Sequence, residues 1–261
     1  MTETALVHQF NNGIKVYEKH LTDAQKARYQ KHNLHEPLEE EIFLKIINSI
    51  PEGGCYLNIG AAIGYYALLA KQQSPSLDIH AFEPLETHRN YFRENILLNT
   101  FSEGDFHIYA EGISSSSSSQ DFVESSYGSK IALGFNSTRS LTARTKLGLR
   151  RLAKRLLISL KLRKKEKTVK INTTTIDAFS EHLGKPVDLC QMDIQGLEIE
   201  ALTGASQAME SGKVKVFIIG THGLFCHQKV IEILSSFDYS IEFEDFTPSD
   251  QPDGIVVARK R

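Results

Sequence analysis

Cys55 to Pro84 reads CYLNIGAAIGYYALLAKQQSPSLDIHAFEP. Five apolar-dominated residues (Cys55, Tyr56, Leu57, Asn58, Ile59) have the length of a buried strand. A glycine turn follows (Gly60 to Gly64), then a helical stretch from Ile63 to about Gln73, then a second strand (Asp78 to Phe82) closed by Glu83. This is a βαβ unit with a tight first junction and a carboxylate after its second strand. Glycines let backbone approach a ligand closely, and an acid in that place can accept two ribose hydroxyls. The spacing is G-x-x-x-G rather than G-x-G-x-x-G, so a pyrophosphate is not the expected guest. A tight strand–helix connection without a ligand is the plain alternative.

Outward from this unit the pattern stays α/β. On the N-terminal side, Phe10–Tyr17 reads as a hairpin turned by Asn12-Gly13. Thr22 to about Asn33 reads as a solvated helix with Thr22 as N-cap. Glu36-Pro37 opens a helix whose apolar face is Leu38, Ile42, Phe43, Ile46 and Ile47. Residues 1–50 are thus a hairpin and helical extension to a main domain, 51–261. After Pro84 come a helix with Leu85, Tyr91, Phe92, Ile96 and Leu97 at near-helical period, and a strand at Asp105–Ala110. The serine tract Ser114–Ser119 reads as a loop. Further strands are expected at Thr168–Thr175, Val187–Met192, Val214–Ile219, Tyr239–Phe243 and Ile255–Ala258. Helices are expected from Ile176, over Gly196–Met209 and over Gln228–Phe237. Alternating strands and helices give a mostly parallel sheet, and the short connection Thr247–Gly254 makes the last strand pair antiparallel.

The chain has 261 residues, 41% of them hydrophobic, and a formal net charge of −2, which argues against a generally basic nucleic-acid binder. The charge is uneven. Between Arg139 and Lys170 thirteen Lys and Arg stand against one acid, Glu166, leaving 17 basic and 31 acidic groups elsewhere. Leu149, Leu152, Leu156 and Leu160 recur there at helical spacing among Arg151, Lys154, Arg155 and Lys161. This basic amphipathic stretch, in an insertion at about 114–170, suits an anionic membrane surface, an acidic substrate, or packing on the domain as a solvated helix. It lacks the aromatics that stack on nucleobases. Three cysteines (Cys55, Cys190, Cys226) without a C-x-x-C pair read as reduced thiols rather than a disulfide framework or zinc site. MTETALVHQF has no signal-peptide pattern, and no apolar run has membrane-spanning length. The expectation is a cytoplasmic protein, peripheral at the inner membrane surface if the basic stretch docks there.

In open α/β sheets ligands bind beyond the carboxyl ends of the strands. Polar residues gather there: Asn58 and Gly60, then Glu83, then Glu111 after Ala110, then Asp193 and Gln195, then Thr221 and His222. Five strand ends converging on one crevice are more specific than any single motif.

The runs NIGAAIGYYALLA, AFEP, NTTTIDAF and DLCQMDIQGLEIEALTGA resemble, in order and spacing, the FkbM family of S-adenosylmethionine-dependent methyltransferases, with its D-V-G-A-N-x-G-Y, F-E-P and D-[VI]-E-G-x-E blocks. The resemblance runs from about Glu36 to Ala258 outside the serine and basic segments. It implies a Rossmann-like class I methyltransferase fold with seven strands. It places the methionine part of the cofactor over Asn58, Gly60, Ala62 and Gly64, the ribose on Glu83 and the adenine near Ala110 and Glu111; the strand ends themselves put the reacting end near Asp193 and His222, and Asp193 is counted with the cofactor-binding residues. It implies methyl transfer to a hydroxyl of a sugar, glycan or similar small molecule. Asn58, Ala62 and Gln195 replace the family's Asp, Asn and Glu, so an S-adenosyl-binding module without turnover is the alternative.

Methyl transfer to oxygen needs the two atoms positioned and the hydroxyl proton removed. His222 is the expected general base, oriented by Asp193; capping of the following helix by Asp193 and a structural turn at His222 are the plain alternatives. A metal site from Asp193, His222 and His227 lacks a third acid at fitting spacing, and none is expected. Glu198 is either a residue closing the site or a first-turn acid favoured by the helix dipole. Glu36 is expected on the acceptor side.

Overall fold

The computed structural model describes residues 6–124, 130–131, 167–249 and 251–261. In chain order the elements are β1 (Val7–Gln9), β2 (Lys15–Tyr17), α1 (Asp23–His32), α2 (Pro37–Ile47), β3 (Cys55–Ile59), α3 (Tyr65–Gln73), β4 (Asp78–Phe82), α4 (Glu86–Leu98), β5 (His107–Tyr109), β6 (Gly112–Ile113), β7 (Ser118–Glu124), β8 (Lys130–Ile131), β9 (Lys167–Thr174), α5 (Ile176–Leu183), β10 (Val187–Met192), α6 (Glu198–Thr203), α7 (Ser206–Glu210), β11 (Val214–Thr221), α8 (Leu224–Ser236), β12 (Tyr239–Asp245) and β13 (Gly254–Lys260).

Seven strands form the main sheet in the order β12-β13-β11-β10-β3-β4-β5. The neighbours from β11 through β5 run parallel, and β13 lies antiparallel to both β11 and β12. The reversal of the last pair follows from the short connection read in the sequence. The central strands are buried on both faces, as a sheet covered by helices on each side requires. Side chains alternate: Tyr56, Leu189, Val216 and Ile218 pack toward α2, α3 and α4, while Leu57, Cys190, Phe217 and Ile219 pack toward α5, α6, α7 and α8. All three cysteines are free and buried.

The N-terminal segment is part of this core. Phe10, Ile14, Val16, Leu21 and Tyr29 join the same cluster as Phe43, Tyr56 and Leu68. The hairpin pairs Val7–Gln9 with Lys15–Tyr17, so its first strand precedes Phe10. Thr22 and Gln25 form a reciprocal capping box at α1. That helix is not simply solvated: Tyr29 is 1% exposed on its inner side.

Three local expectations change. The serine tract is not all loop, because Ser118 begins β7, which pairs with β9 from Ser118↔Thr173 to Glu124↔Lys167. The Thr173 hydroxyl accepts from Ser118 N and donates to the Ser116 carbonyl, tying the tract to the strand. β9 therefore lies in a separate four-stranded sheet, β6-β9-β7-β8. The helix expected over Gly196–Met209 is broken into α6 and α7 at Gly204, where a Cβ would lie 2.2 Å from the Ser114 carbonyl. Asp177, from the T-I-D run, accepts from Gln207 N and Ala208 N and so caps α7. The leucine-spaced basic stretch, 149–160, lies outside the described residues.

Candidate active site at the carboxyl ends of the parallel strands

A cavity of about 750 Å³ opens over the carboxyl ends of β3, β4 and β10. Its floor is the glycine turn, and the positions of the two glycines explain the turn's spacing. Gly60 has φ +82, and a Cβ there would stand 2.2 Å from the Asp193 carbonyl oxygen. Gly64 has φ +87, and its Cβ would fall 2.0 Å from the Phe92 ring. The first glycine lets the ends of β3 and β10 touch; the second seats α3 against α4. Gly64 is therefore a packing residue and is not on the cavity wall. Between them Ala62 adopts φ +47, a left-handed conformation that Asn tolerates better than Ala.

Glu83 pins this turn. One carboxylate oxygen accepts from Ala62 N at 3.0 Å and the other from Leu85 N at 2.9 Å. A carboxylate has about four lone-pair sites; His88 Nδ1 also stands 3.4 Å from Oε1, and the second lone pair of Oε2 is left for a ligand hydroxyl. Asn58, 5% exposed, reaches Gln191 Oε1 through Nδ2 at 3.4 Å, while its Oδ1 is buried without a hydrogen-bond partner on the cavity wall. A buried carbonyl oxygen left open in this way is a ready acceptor for a ligand N–H. On the side expected for the base ring, the wall is formed by Gly112 and Ile113; Glu111 is not part of it.

At the other end stand Asp193, Gln195 and Asp253. Asp193 follows β10, and its side chain lines the recess, half-buried and crowded by neighbouring atoms. Burial is the main reason its carboxyl is pushed up to about 6, with Asp253 and Glu198 adding to the shift and His222 opposing it. Behind it His222, at the end of β11, is held by three carboxylates. Its Nδ1 lies 3.0 Å from Glu198 Oε1, and its Nε2 lies 3.2 Å from Asp253 Oδ1 and 3.4 Å from Asp193 Oδ1. Burial lowers the proton affinity of the imidazole, but the Asp253 and Glu198 contacts and the Asp193 charge overcome it and hold the ring at about 10. The geometry brings Asp193 and His222 together, as expected, but it is Asp193 that faces the cavity and His222 that stands behind it. With Nδ1 held by Glu198 and the ring off the cavity wall, His222 is not placed to take a proton from an acceptor in the cavity, the general-base role expected of it. Glu198 is a first-turn acid of α6 and fully buried: Oε1 accepts from Ile194 N and Gly196 N, and Cys226 Sγ donates to Oε2. His227 turns away, bonded to Thr221 and Glu244.

Residues 22–36 close the remaining side, where Arg28, His35 and Glu36 reach the cavity. Glu36 was expected there; Arg28 and His35 were not, because α1 reads as polar along its whole length. Burial, then the Asp193 charge, pushes the Glu36 carboxyl up to about 8 from an ordinary 4.5. A folded-state value above the unfolded one means that this group favours folding at low pH and opposes it as pH rises through 8. Glu36→Gln is therefore expected to raise the melting temperature little at pH 4.5. The gain should grow to a plateau above pH 8, worth on the order of 5 kcal/mol, measured by calorimetry across that range.

The family model for the methyltransferase FkbM domain matches residues 58–241, more than half of the chain. No curated protein matches it. Among solved structures, methyltransferase FkbM from Methylobacillus flagellatus KT is similar with 15% identity and a TM-score of 0.52, over 92% of this chain and 56% of that one. This chain thus spans little more than half the length of that relative. Magnesium protoporphyrin IX methyltransferase from Synechocystis PCC 6803, solved with S-adenosylmethionine bound, has 9% identity and a TM-score of 0.48, over 87% and 80%. TrmK of M. capricolum, solved with S-adenosylhomocysteine, has 12% and 0.45, over 84% and 68%. The sheet order, the glycine turn pinned by the acid after β4, and the match from β3 to β12 agree: the chain belongs to the FkbM family of S-adenosylmethionine-dependent methyltransferases.

Proposed function

We propose that the chain transfers a methyl group from S-adenosylmethionine to a hydroxyl of a sugar, glycan or similar small molecule. The observation that carries this reading is the unpaired Asn58 Oδ1 beside the Glu83-pinned glycine turn: a buried acceptor and a ribose-reading acid in one cavity. Asn58 Oδ1 accepts from the cofactor's α-amino group. Gly60 and Ala62 lie under its methionine part, and Gly64 keeps the turn in place. Glu83 takes a ribose hydroxyl. Gly112 and Ile113 would hold its base ring, with Glu111 beyond them. The cofactor supplies a methyl group on a positively charged sulfur.

Asp193 then takes the acceptor's hydroxyl proton and His222 positions it, the reverse of the roles read from the sequence. With its proton held by Asp193, the acceptor oxygen would be free to take the methyl group that the cofactor would supply. The acceptor enters between the 22–36 segment and the loop bearing Asp253, where Arg28 and Glu36 offer it polar contacts. The thirteen basic residues of 139–170 support docking on an anionic membrane surface or an acidic acceptor. Incubating the protein with labelled methyl donor and a cell extract tests the reading. Label transferred into a hydroxyl-bearing small molecule supports it, and label found only on nitrogen, carbon or protein contradicts it.

A further inference from the structure

The residues behind Asp193 form a set of donors that a proton alone does not balance. Asp193, Glu198 and Asp253 bring three carboxylates around one imidazole. Among the described residues, none of the three pairs with a Lys or Arg. Three carboxylates crowded about a single imidazole at the wall of a recess are an arrangement that a further cation stabilises.

The geometry shows what cation fits. Asp193 Oδ1, His222 Nε2 and Asp253 Oδ1 lie within 4.8 Å of one another. His222 Nε2 is 3.4 Å and 3.2 Å from the two oxygens, yet it has no hydrogen-bond partner, because neither contact has hydrogen-bond geometry. Cis ligands at about 2.1–2.3 Å from an ion stand about 3.0–3.3 Å apart. The donors are spaced like ligands of one ion rather than like a donor and its acceptors. On the far side of the ring, Glu198 Oε1 holds Nδ1 at 3.0 Å and is itself fixed by Ile194 N and Gly196 N. A carboxylate bonded to the remote nitrogen fixes the tautomer that leaves Nε2 free to ligate. Sequence spacing concealed this set, since the third acid comes from the connection before β13, 60 residues after Asp193.

We propose that Asp193, His222 and Asp253 bind one divalent cation of the Mn²⁺ or Mg²⁺ class. Two carboxylate oxygens and one imidazole on one side of the ion form a mixed oxygen and nitrogen set that Mn²⁺ accepts, and they leave its other positions toward the cavity, since Asp193 and Asp253 both line it. Two neighbouring oxygens of an acceptor fill those positions. The favoured acceptor therefore carries a vicinal diol or an α-hydroxy acid, and the ion makes the bound hydroxyl easier to deprotonate. Ion binding follows from the donor geometry alone; its use on a diol rests on the methyl-transfer reading above.

The probe is MnCl₂ titrated into the metal-free full chain, without cofactor or acceptor, followed by calorimetry and electron spin resonance. One Mn²⁺ per chain is expected, with ¹⁴N coupling from the His222 ring in double resonance. Asp253→Asn is expected to weaken it at least tenfold. No Mn²⁺ bound at millimolar concentration, bound Mn²⁺ without ¹⁴N coupling, or equal affinity in Asp253→Asn overturns the proposal. The coupling in the unsubstituted chain decides the matter even if the variant does not fold. Titrating S-adenosylhomocysteine into the same metal-free protein tests the cofactor reading separately, so failure of one is distinguishable from failure of the other.

Discussion

Gly60→Ala is expected to cost at least about 3 kcal/mol of stability and to remove measurable binding of S-adenosylhomocysteine. Two costs add. At φ +82 an alanine pays roughly 1–2 kcal/mol for its left-handed backbone. Its Cβ would also sit 2.2 Å from the Asp193 carbonyl oxygen and 3.0 Å from Ile194 Cγ2, so the ends of β3 and β10 must part. The obstacle is backbone, which cannot rotate aside as a side chain can. Parting those strand ends moves Asn58 and Asp193, the two ends of the cavity, together. At roughly 2–4 °C per kcal/mol the melting temperature should fall by about 6–12 °C. Gly184→Ala is the control. It shares a positive φ, +70, but a Cβ there meets nothing within 4 Å. Only about 1 kcal/mol and unchanged cofactor binding are expected of it. Equal effects from the two substitutions would mean that the strand contact is not what the glycine serves.

Asp193→Asn is expected to reduce methyl transfer by 10²- to 10⁴-fold while S-adenosylhomocysteine binds within a few-fold of the parent. Asparagine keeps the shape of the side chain and an oxygen that can accept from Gln195 Nε2, now 3.2 Å away. It cannot take a proton. The residues proposed to hold the cofactor, Asn58 and Glu83, are not bonded to Asp193, so their contacts persist. Loss of turnover with retained binding separates a role in the reaction from one in holding the fold or the cofactor. Turnover within a few-fold of the parent would remove the assigned role.

The parts of the fold governed by short-range pattern were legible. β3 and β4 have the bounds read from Cys55–Ile59 and Asp78–Phe82, because an apolar run between a Gly-Gly or Ser-Pro turn and a glycine or acid has few alternatives. The reversed last pair followed from the length of one connection. The elements that changed depended on distant partners. The β7–β9 pairing joins residues about 50 positions apart, and no periodicity in a serine tract announces it. The break at Gly204 exists because the Ser114 backbone passes there. The site divides along the same line. Asn58, Gly60, Ala62, Glu83 and Asp193 lie on the cavity wall because strand ends meet whatever the loops do. Gly64 and Glu111 follow strand ends too, yet one faces Phe92 and the other lies beyond the wall. Arg28 and Asp253 come from a polar helix and from the connection before β13, where only three-dimensional placement brings them in. His222 is in the expected place, but its role depends on Asp253 and Glu198 around it, which spacing does not reveal.

The central claim is that the cavity between Asn58, Glu83 and Asp193 is an S-adenosyl site, and calorimetric titration of the full chain with S-adenosylhomocysteine tests it most directly. One molecule per chain is expected, with affinity lost in Gly60→Ala and kept in Asp193→Asn. A folded chain that binds none at millimolar concentration, or that binds equally well after Gly60→Ala, would contradict it.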